Sequence, residues 1–186
     1  VTDLISKYNV GGLCFFQGGP VRQARLTNFY QSISKTPLMI TIDAEWGLGM
    51  RLDSVIPFPR QLMQGAGADE GVIYEIGKAV GQQCKRMGIQ VNYAPVVDIN
   101  NNPLNPVIND RSFGEDKYRV TRMAIAYTKG IQEQGVMGTV KHFPGHGDVA
   151  VDSHKDLPVI NKTREQLEQL ELYPFRELIK AGIGSV

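Results

Sequence analysis

The sequence predicts an α/β fold in which a parallel sheet of about five strands has helices outside it. Short apolar runs alternate with longer helical stretches along the chain, and this alternation is typical of parallel strands joined by crossover helices. The runs are apolar throughout rather than at every second residue, as expected of strands that are covered on both faces. The expected strands are residues 11–16, 37–43, 89–97, 136–140 and 181–186.

The helices between these strands have recognisable ends in the sequence. Asp69 is a suitable N-cap for a long helix, which Gly88 would stop. Thr163 and Gln166 form the pattern of a capping box, and Pro174 must interrupt or restart the helix that follows because it lacks a backbone N–H. The expected helices are residues 21–34, 69–87 and 118–134, with a fourth that begins at residue 163.

Composition and charge argue against two classes of partner. The chain has 186 residues, 42% of them hydrophobic, and its 20 Lys and Arg nearly balance its 19 Asp and Glu. Bulk charge therefore gives no attraction to nucleic acid or to an anionic membrane. No apolar run reaches the ~18 residues that a membrane span needs. The length suits one domain, and the only cysteines, Cys14 and Cys84, are expected to be buried free thiols.

Polar segments that contain glycine or asparagine follow three of the expected strands. They are residues 43–47, 98–102 and 141–145. The carboxyl ends of parallel strands lie at one edge of a sheet, and α/β proteins carry their chemistry there. The sequence therefore predicts a functional site built from these segments.

All three histidines of the chain fall within residues 141–154, interleaved with two aspartates. Such clustering favours a functional site over three separate structural histidines. Asp152 and His154 are close enough in sequence for the carboxylate to orient the imidazole. Since histidine titrates near neutrality, the pair could act as a general acid and base.

A metal site is the weaker chemical interpretation of the same segment. Histidine and aspartate are zinc ligands. His142 and His146 have the spacing of two ligands on one helix face, but Pro144 and Gly145 between them disfavour that helix.

Residues 141–148, Lys-His-Phe-Pro-Gly-His-Gly-Asp, are followed by Asp152, Ser153 and His154. Together they closely resemble the signature of the β-N-acetylhexosaminidases of glycoside hydrolase family 3, and the resemblance extends over nearly the whole chain. It implies that His154 is the general acid and base and that Asp152 forms a dyad with it. The β-glucosidases of the family lack this loop and use a distant glutamate, so the resemblance implies an N-acetylated amino sugar as substrate.

The same resemblance implies a set of sugar-binding residues. Lys141 and His142 are similar to a pair that binds sugar hydroxyls from a strand end. Asp43 is similar to an aspartate that accepts hydrogen bonds from the distal hydroxyls, and Arg51 and Arg111 are similar to arginines around the same ring. Charged partners suit hydroxyls, which both donate and accept hydrogen bonds.

Ordinary structural roles remain open for some of these residues. Arg111 could form a surface salt bridge with its neighbour Asp110, Lys141 could be a solvated strand end, and Asp43 could be a helix N-cap. Trp46, the only tryptophan, stands where many relatives have glycine, and it could stack on a sugar or plug the mouth of a barrel.

The resemblance implies a retaining exo-glycosidase acting on terminal β-linked N-acetylglucosamine, in muropeptides or chitin fragments, without a cofactor. Residues 1–186 would form part of the N-terminal catalytic domain, an incomplete (β/α)8 TIM-type barrel, and the nucleophilic aspartate would lie beyond residue 186. An inactive fragment or a saccharide-binding remnant is the alternative. About five strands do not close a barrel, so we expect either further chain or an oligomer at the open edges. We also expect residues 145–153 to be mobile, because their glycines and short polar residues offer little to pack.

Overall fold

The computed structural model describes residues 1–67, 69–151, 155 and 157–186. Helices and short strands alternate along this part of the chain, as predicted. Two 3₁₀ turns, Leu48–Met50 and Asn109–Arg111, lie in the longer connections. The elements in chain order are α1 (Thr2–Tyr8), β1 (Gly12–Phe15), α2 (Pro20–Ile33), β2 (Met39–Ile42), α3 (Gln61–Gly67), α4 (Glu70–Arg86), β3 (Val91–Asn92), α5 (Lys117–Gln132), β4 (Met137–Gly138), α6 (Arg164–Gln169) and α7 (Leu172–Lys180).

The sheet is parallel, and its strand order follows the chain: β1, β2, β3, β4. The α/β class with a parallel sheet is therefore confirmed. The described residues form four strands instead of the five expected, because residues 181–186 contribute only an isolated bridge between Ser185 and Thr139. β3 and β4 are also shorter than the apolar runs that contain them, since part of each run continues into the loops that carry the charged side chains.

The helix ends predicted from the sequence are confirmed. Asp69 caps α4 by accepting a hydrogen bond from the backbone N–H of Val72, at 2.9 Å. Gly88 takes a positive φ of 69° just after that helix, a conformation that glycine adopts without steric cost. Thr163 forms the full capping box of α6, and Pro174 lies in the first turn of α7, where its missing N–H costs little.

One hydrophobic core joins the sheet to the helices that cover it. Ile40 and Ile42 of β2 are fully buried with side chains of α4, α5 and α7. α4 and α5 approach closely through Gly77 and Gly130. A Cβ at Gly77 would lie 2.3 Å from the carbonyl oxygen of Tyr127. This packing fixes the carboxyl ends of β2, β3 and β4 relative to one another.

The prediction that residues 11–16 form a buried strand is wrong. β1 lies at the edge of the sheet, and its residues alternate between exposed and half-buried. Cys14 is consequently exposed, whereas Cys84 is buried in α4 as expected. Burial raises the pKa of the Cys84 thiol to about 12. Whether further chain or a second molecule covers the β1 edge stays a prediction.

Among the described helices, none is both long and apolar enough to cross a membrane.

Candidate functional site

The polar segments after β2, β3 and β4 lie together, as their positions in the sequence predict. Val96 and Lys141 form a parallel bridge that joins the segments after β3 and β4. The Nζ atom of Lys141 lies 2.5 Å from Oδ1 of Asp43, the residue that follows β2. The carboxyl ends of three neighbouring strands thus form one cluster of charged side chains.

Asp43 binds two cations at the partly open edge of this cluster. Besides Lys141, it pairs with the guanidinium of Arg51, whose Nε also donates to the Asp43 carbonyl oxygen at 2.9 Å. Burial alone would raise the pKa of Asp43, but Lys141 and Arg51 together hold it below the ordinary value of 3.8. Asp43 is not a helix N-cap, because the 3₁₀ turn that follows begins after Gly47.

Glu45 is fully buried and shares Lys141 with Asp43. It accepts two hydrogen bonds from Arg111, at 2.7 Å from Nη2 and 3.0 Å from Nε, and its Oε1 lies 2.8 Å from Lys141 Nζ. Burial acts to lower the pKa of Arg111, but the hydrogen bonds and charge of Glu45 raise it above the ordinary value.

The surface alternatives for Arg111 and Lys141 are therefore wrong. Asp110 does not pair with its neighbour Arg111. It binds Arg60 instead, at 2.8 Å, in an exposed ion pair. The Lys141 side chain is only 14% exposed and bridges two carboxylates, so it is not a solvated strand end.

Asp98 is the third carboxylate of the cluster, and its side chain is fully buried. Its Oδ2 lies 2.6 Å from Nδ1 of His142, and its Oδ1 accepts a hydrogen bond from the backbone N–H of His146 at 2.6 Å. On the other side of the His142 ring, Arg111 Nη2 lies 3.1 Å from Nε2. All five sugar-binding residues inferred from the resemblance, Asp43, Arg51, Arg111, Lys141 and His142, thus belong to one connected network.

The histidine segment packs closely along its first half. Asn105 donates to the carbonyl oxygen of His146 at 2.6 Å, and Asn102 donates to that of Asp148 at 2.9 Å. The Asp148 carboxylate also binds Lys162 at 2.6 Å. The reason given for mobility, that these residues offer little to pack, is wrong up to Val149, since most of residues 145–149 are buried. The mobility itself stays a prediction.

Asp152, Ser153 and His154 lie outside the described residues, so the structure places neither member of the predicted dyad. Within the part of the chain that is described, no group of three or more His, Cys, Asp or Glu side chains could hold a metal ion. That finding does not cover Asp152 or His154, and the metal interpretation of the full segment stays untested.

Trp46 lies beside the cluster under the Arg60 guanidinium, which is 4.6 Å from the ring centroid. One face of the indole therefore contacts a cation and is not open to a sugar. Stacking of a ligand on the other face and plugging of a barrel mouth both remain predictions.

Sequence reasoning named the partly exposed residues of the cluster but missed their buried partners. Glu45 and Asp98 are the carboxylates that hold Arg111, Lys141 and His142 in place. Both lie directly or shortly after an apolar strand, and this position is the feature of the sequence that could have identified them. The cluster as a whole offers carboxylate acceptors and cationic donors side by side, which suits a ligand with several neighbouring hydroxyl groups.

A family model covers the whole chain, and a curated relative is similar over nearly the whole length of this chain. The model of the glycosyl hydrolase family 3 N-terminal domain matches residues 1–186. The chain is 41% identical to beta-hexosaminidase A of Pseudoalteromonas piscicida, over 98% of this chain and 33% of that protein.

Two solved structures extend the comparison to the fold. A glycoside hydrolase family 3 beta-N-acetylglucosaminidase from Paenibacillus sp. superposes with a TM-score of 0.88 at 41% identity, over 98% of this chain and 36% of that one. NagZ from Neisseria gonorrhoeae, in complex with N-trifluoroacetyl-D-glucosamine, gives a TM-score of 0.89 at 28% identity, over 100% of this chain and 57% of that one. The chain therefore spans between about a third and somewhat more than half of the length of these relatives.

Proposed function

Because this chain belongs to glycoside hydrolase family 3, through the N-terminal domain of that family, we propose that it serves in a retaining exo-glycosidase that releases terminal β-linked N-acetylglucosamine. One observation of the structure supports this most directly. The five residues that resemble sugar-binding positions, which are far apart in the sequence, lie in a single hydrogen-bonded network at the strand ends.

In this proposal the network holds the terminal sugar. Asp43 accepts hydrogen bonds from the hydroxyls farthest from the bond that is cleaved, and Lys141 donates to hydroxyl oxygens of the same sugar. Arg51 and Arg111 are held by Asp43 and Glu45, and they donate from either side of the ring. Bonds from charged groups to hydroxyls are stronger than neutral ones and fix the orientation of the ring.

The chemical steps would belong to the dyad and to an aspartate nucleophile expected beyond residue 186. The nucleophile attacks the anomeric carbon while the protonated imidazole of His154, oriented by Asp152, gives its proton to the leaving oxygen. Water then attacks the glycosyl-enzyme with His154 as the base, and the aspartate leaves. Two successive inversions retain the configuration at the anomeric carbon.

The likeness to solved family members supports a (β/α)8 barrel of which residues 1–186 form part. The four parallel strands would belong to its wall and the charged cluster to its carboxyl-terminal mouth, where barrel enzymes carry their active sites. The substrate class is an N-acetylglucosaminide, such as a muropeptide or a chitin fragment.

The test is hydrolysis by the full-length protein of paired chromogenic substrates, a β-N-acetylglucosaminide and the matching β-glucoside. We expect the first to be cleaved much faster, and NMR to detect the β-anomer as the first product. Preference for the glucoside, or release of the α-anomer, would contradict the proposal. Tight binding of N-acetylglucosamine without turnover would instead favour a saccharide-binding protein.

A further inference from the structure

Asp98 brings three hydrogen-bond donors onto one buried carboxylate. Its Oδ2 accepts from the backbone N–H of His142 at 3.2 Å and lies 2.6 Å from Nδ1 of the same residue. Its Oδ1 accepts from the backbone N–H of His146 at 2.6 Å. An ionised carboxylate only accepts hydrogen bonds, so the His142 nitrogen that faces it must carry a proton.

The opposite side of the His142 ring meets a group that only donates. Arg111 Nη2 lies 3.1 Å from Nε2, and a guanidinium has five N–H donors and no acceptor. The lone pair of Nε2 must therefore face Arg111, and Nε2 carries no proton. The two neighbours together select the neutral ring with its proton on Nδ1. A doubly protonated ring would still have Asp98 as the acceptor for its Nδ1 proton, but its Nε2 proton would face the Arg111 guanidinium and have no acceptor there.

We propose that Asp98 is a positioning residue, which fixes His142 as the Nδ1–H tautomer and anchors, through His146, the base of the segment that leads to His154. This inference rests on the proposed function, in which His142 binds the sugar. A sugar hydroxyl that donates to His142 then takes the place of the Arg111 N–H at the single Nε2 lone pair, and that N–H turns to a sugar oxygen, to which Lys141 also donates. Asp98 touches no ligand, since its side chain is fully buried.

Asp98→Asn is a suitable perturbation because it keeps the shape and replaces one oxygen with an NH₂ group. Whichever oxygen is replaced, the new donor faces a donor of His142 or His146. A ring that faces the NH₂ group gains an acceptor at Nδ1 only by moving its proton to Nε2, against Arg111. Asp3→Asn is the control, since Asp3 is 80% exposed on α1, far from the cluster in sequence and paired only with Lys7 among the described ion pairs.

The experiment measures the ring nitrogens of His142 by long-range ¹H–¹⁵N NMR in full-length protein labelled with ¹⁵N-histidine, and His142→Gln assigns the signals. We expect the wild type and Asp3→Asn to carry the proton on Nδ1, and Asp98→Asn to show the Nε2–H form or a mixture. We also expect kcat/KM for a chromogenic N-acetylglucosaminide to fall about 10- to 100-fold in Asp98→Asn, mainly through KM, because a ground-state binding group is disturbed.

Several outcomes would overturn the proposal. One is a wild-type ring protonated on Nε2, and another is an Asp98→Asn protein with unchanged tautomer and KM. In the His142→Gln background the loss caused by Asp98→Asn should become smaller, because part of it acts through the ring, and an undiminished loss would leave Asp98 a purely structural role. If Asp98→Asn does not fold, the tautomer of His142 measured in the wild type tests the proposal without it. A wild type that does not hydrolyse the substrate refutes the proposed function, while the NMR result still decides the tautomer.

Discussion

Replacing Glu45 with glutamine would remove one negative charge that pairs with two cations of the cluster. Glu45 is fully buried and binds Arg111 through both carboxylate oxygens and Lys141 through one of them. The neutral side chain has nearly the same shape, so the change tests the charge and the acceptors rather than the packing. We expect the protein to fold but to lose a substantial part of its stability.

The magnitude follows from the bonds that are lost. The substituted side chain would keep one oxygen as an acceptor for Arg111 or Lys141, but its NH₂ group would face the second Arg111 N–H, so one charge-assisted hydrogen bond of about 1.5–3 kcal/mol disappears. Lys141 and Arg111, with side chains only 14% and 17% exposed, also lose the charge that compensates them. Removing one partner from a buried ion pair costs about 3–5 kcal/mol, and we expect a free-energy loss in that range.

The assay is thermal or urea denaturation of the full-length protein, followed by circular dichroism. Glu70→Gln is the matched control, because Glu70 also binds one arginine, Arg122, at 3.0 Å, but both side chains are more than half exposed. An exposed ion pair contributes at most about 1 kcal/mol. If Glu45→Gln destabilised the protein no more than Glu70→Gln does, Glu45 would not be the buried support that its contacts indicate.

Three further predictions concern the dyad of Asp152 and His154, the partly exposed carboxylate of Asp43, and metal ions. His154→Ala should lower turnover by ~10²–10⁴-fold, and less for substrates with good leaving groups, because these need little protonation; equal losses for good and poor leaving groups, measured as kcat, would remove His154 from the acid role. Asp43→Asn should weaken binding of N-acetylglucosamine, measured by calorimetry, while the protein stays folded. Lys141 and Arg51 outweigh burial and lower the pKa of Asp43 below the ordinary value of 3.8. Its ion pairs should therefore stabilise the folded wild type fully above pH 3.8, and this stabilisation should be lost as the pH falls through the lowered pKa of the folded state. A stability difference between wild type and Asp43→Asn that already disappears between pH 7 and pH 5 would contradict this. Treatment with a chelator should leave activity and folding unchanged, and activity lost with a stoichiometric zinc would favour the metal interpretation of the histidine segment.

The longer helices and four of the strands could be predicted because they depend on local patterns, whereas the short helices α1 and α3 were missed and the expected fifth strand forms only a bridge. Asp69, Gly88 and the pair Thr163 and Gln166 satisfy backbone groups within a few residues of themselves, and the structure confirms all of them. The burial of β1 could not be predicted from residues 11–16, because it depends on which strands lie on either side. An apolar run has the same sequence whether it is central or at an edge.

Glycines in the histidine segment were misinterpreted for a related reason. They suggested loose packing, whereas here they permit close packing. A Cβ at Gly147 would lie 1.8 Å from the carbonyl oxygen of Ile99, and one at Gly145 would lie 2.6 Å from the Glu171 side chain. Only contacts between distant parts of the chain distinguish a glycine that loosens a loop from one that lets two backbones meet.

Glu45 and Asp98 were missed for the same reason, because their roles depend on contacts between distant parts of the chain. These residues also limit the chemistry of the ligand. Three carboxylates, Asp43, Glu45 and Asp98, stand against three cations, Arg51, Arg111 and Lys141, and the contacts of His142 select its neutral ring. The cations of the cluster are thus compensated before any ligand binds. An anionic ligand would have to displace one of these carboxylates or remain unpaired in a partly buried site, and both are costly. A neutral ligand with several hydroxyls needs neither, because it can accept from the cations and donate to Asp43 while every ion pair stays in place. The charge balance of the cluster therefore favours a neutral sugar over a phosphorylated or acidic one.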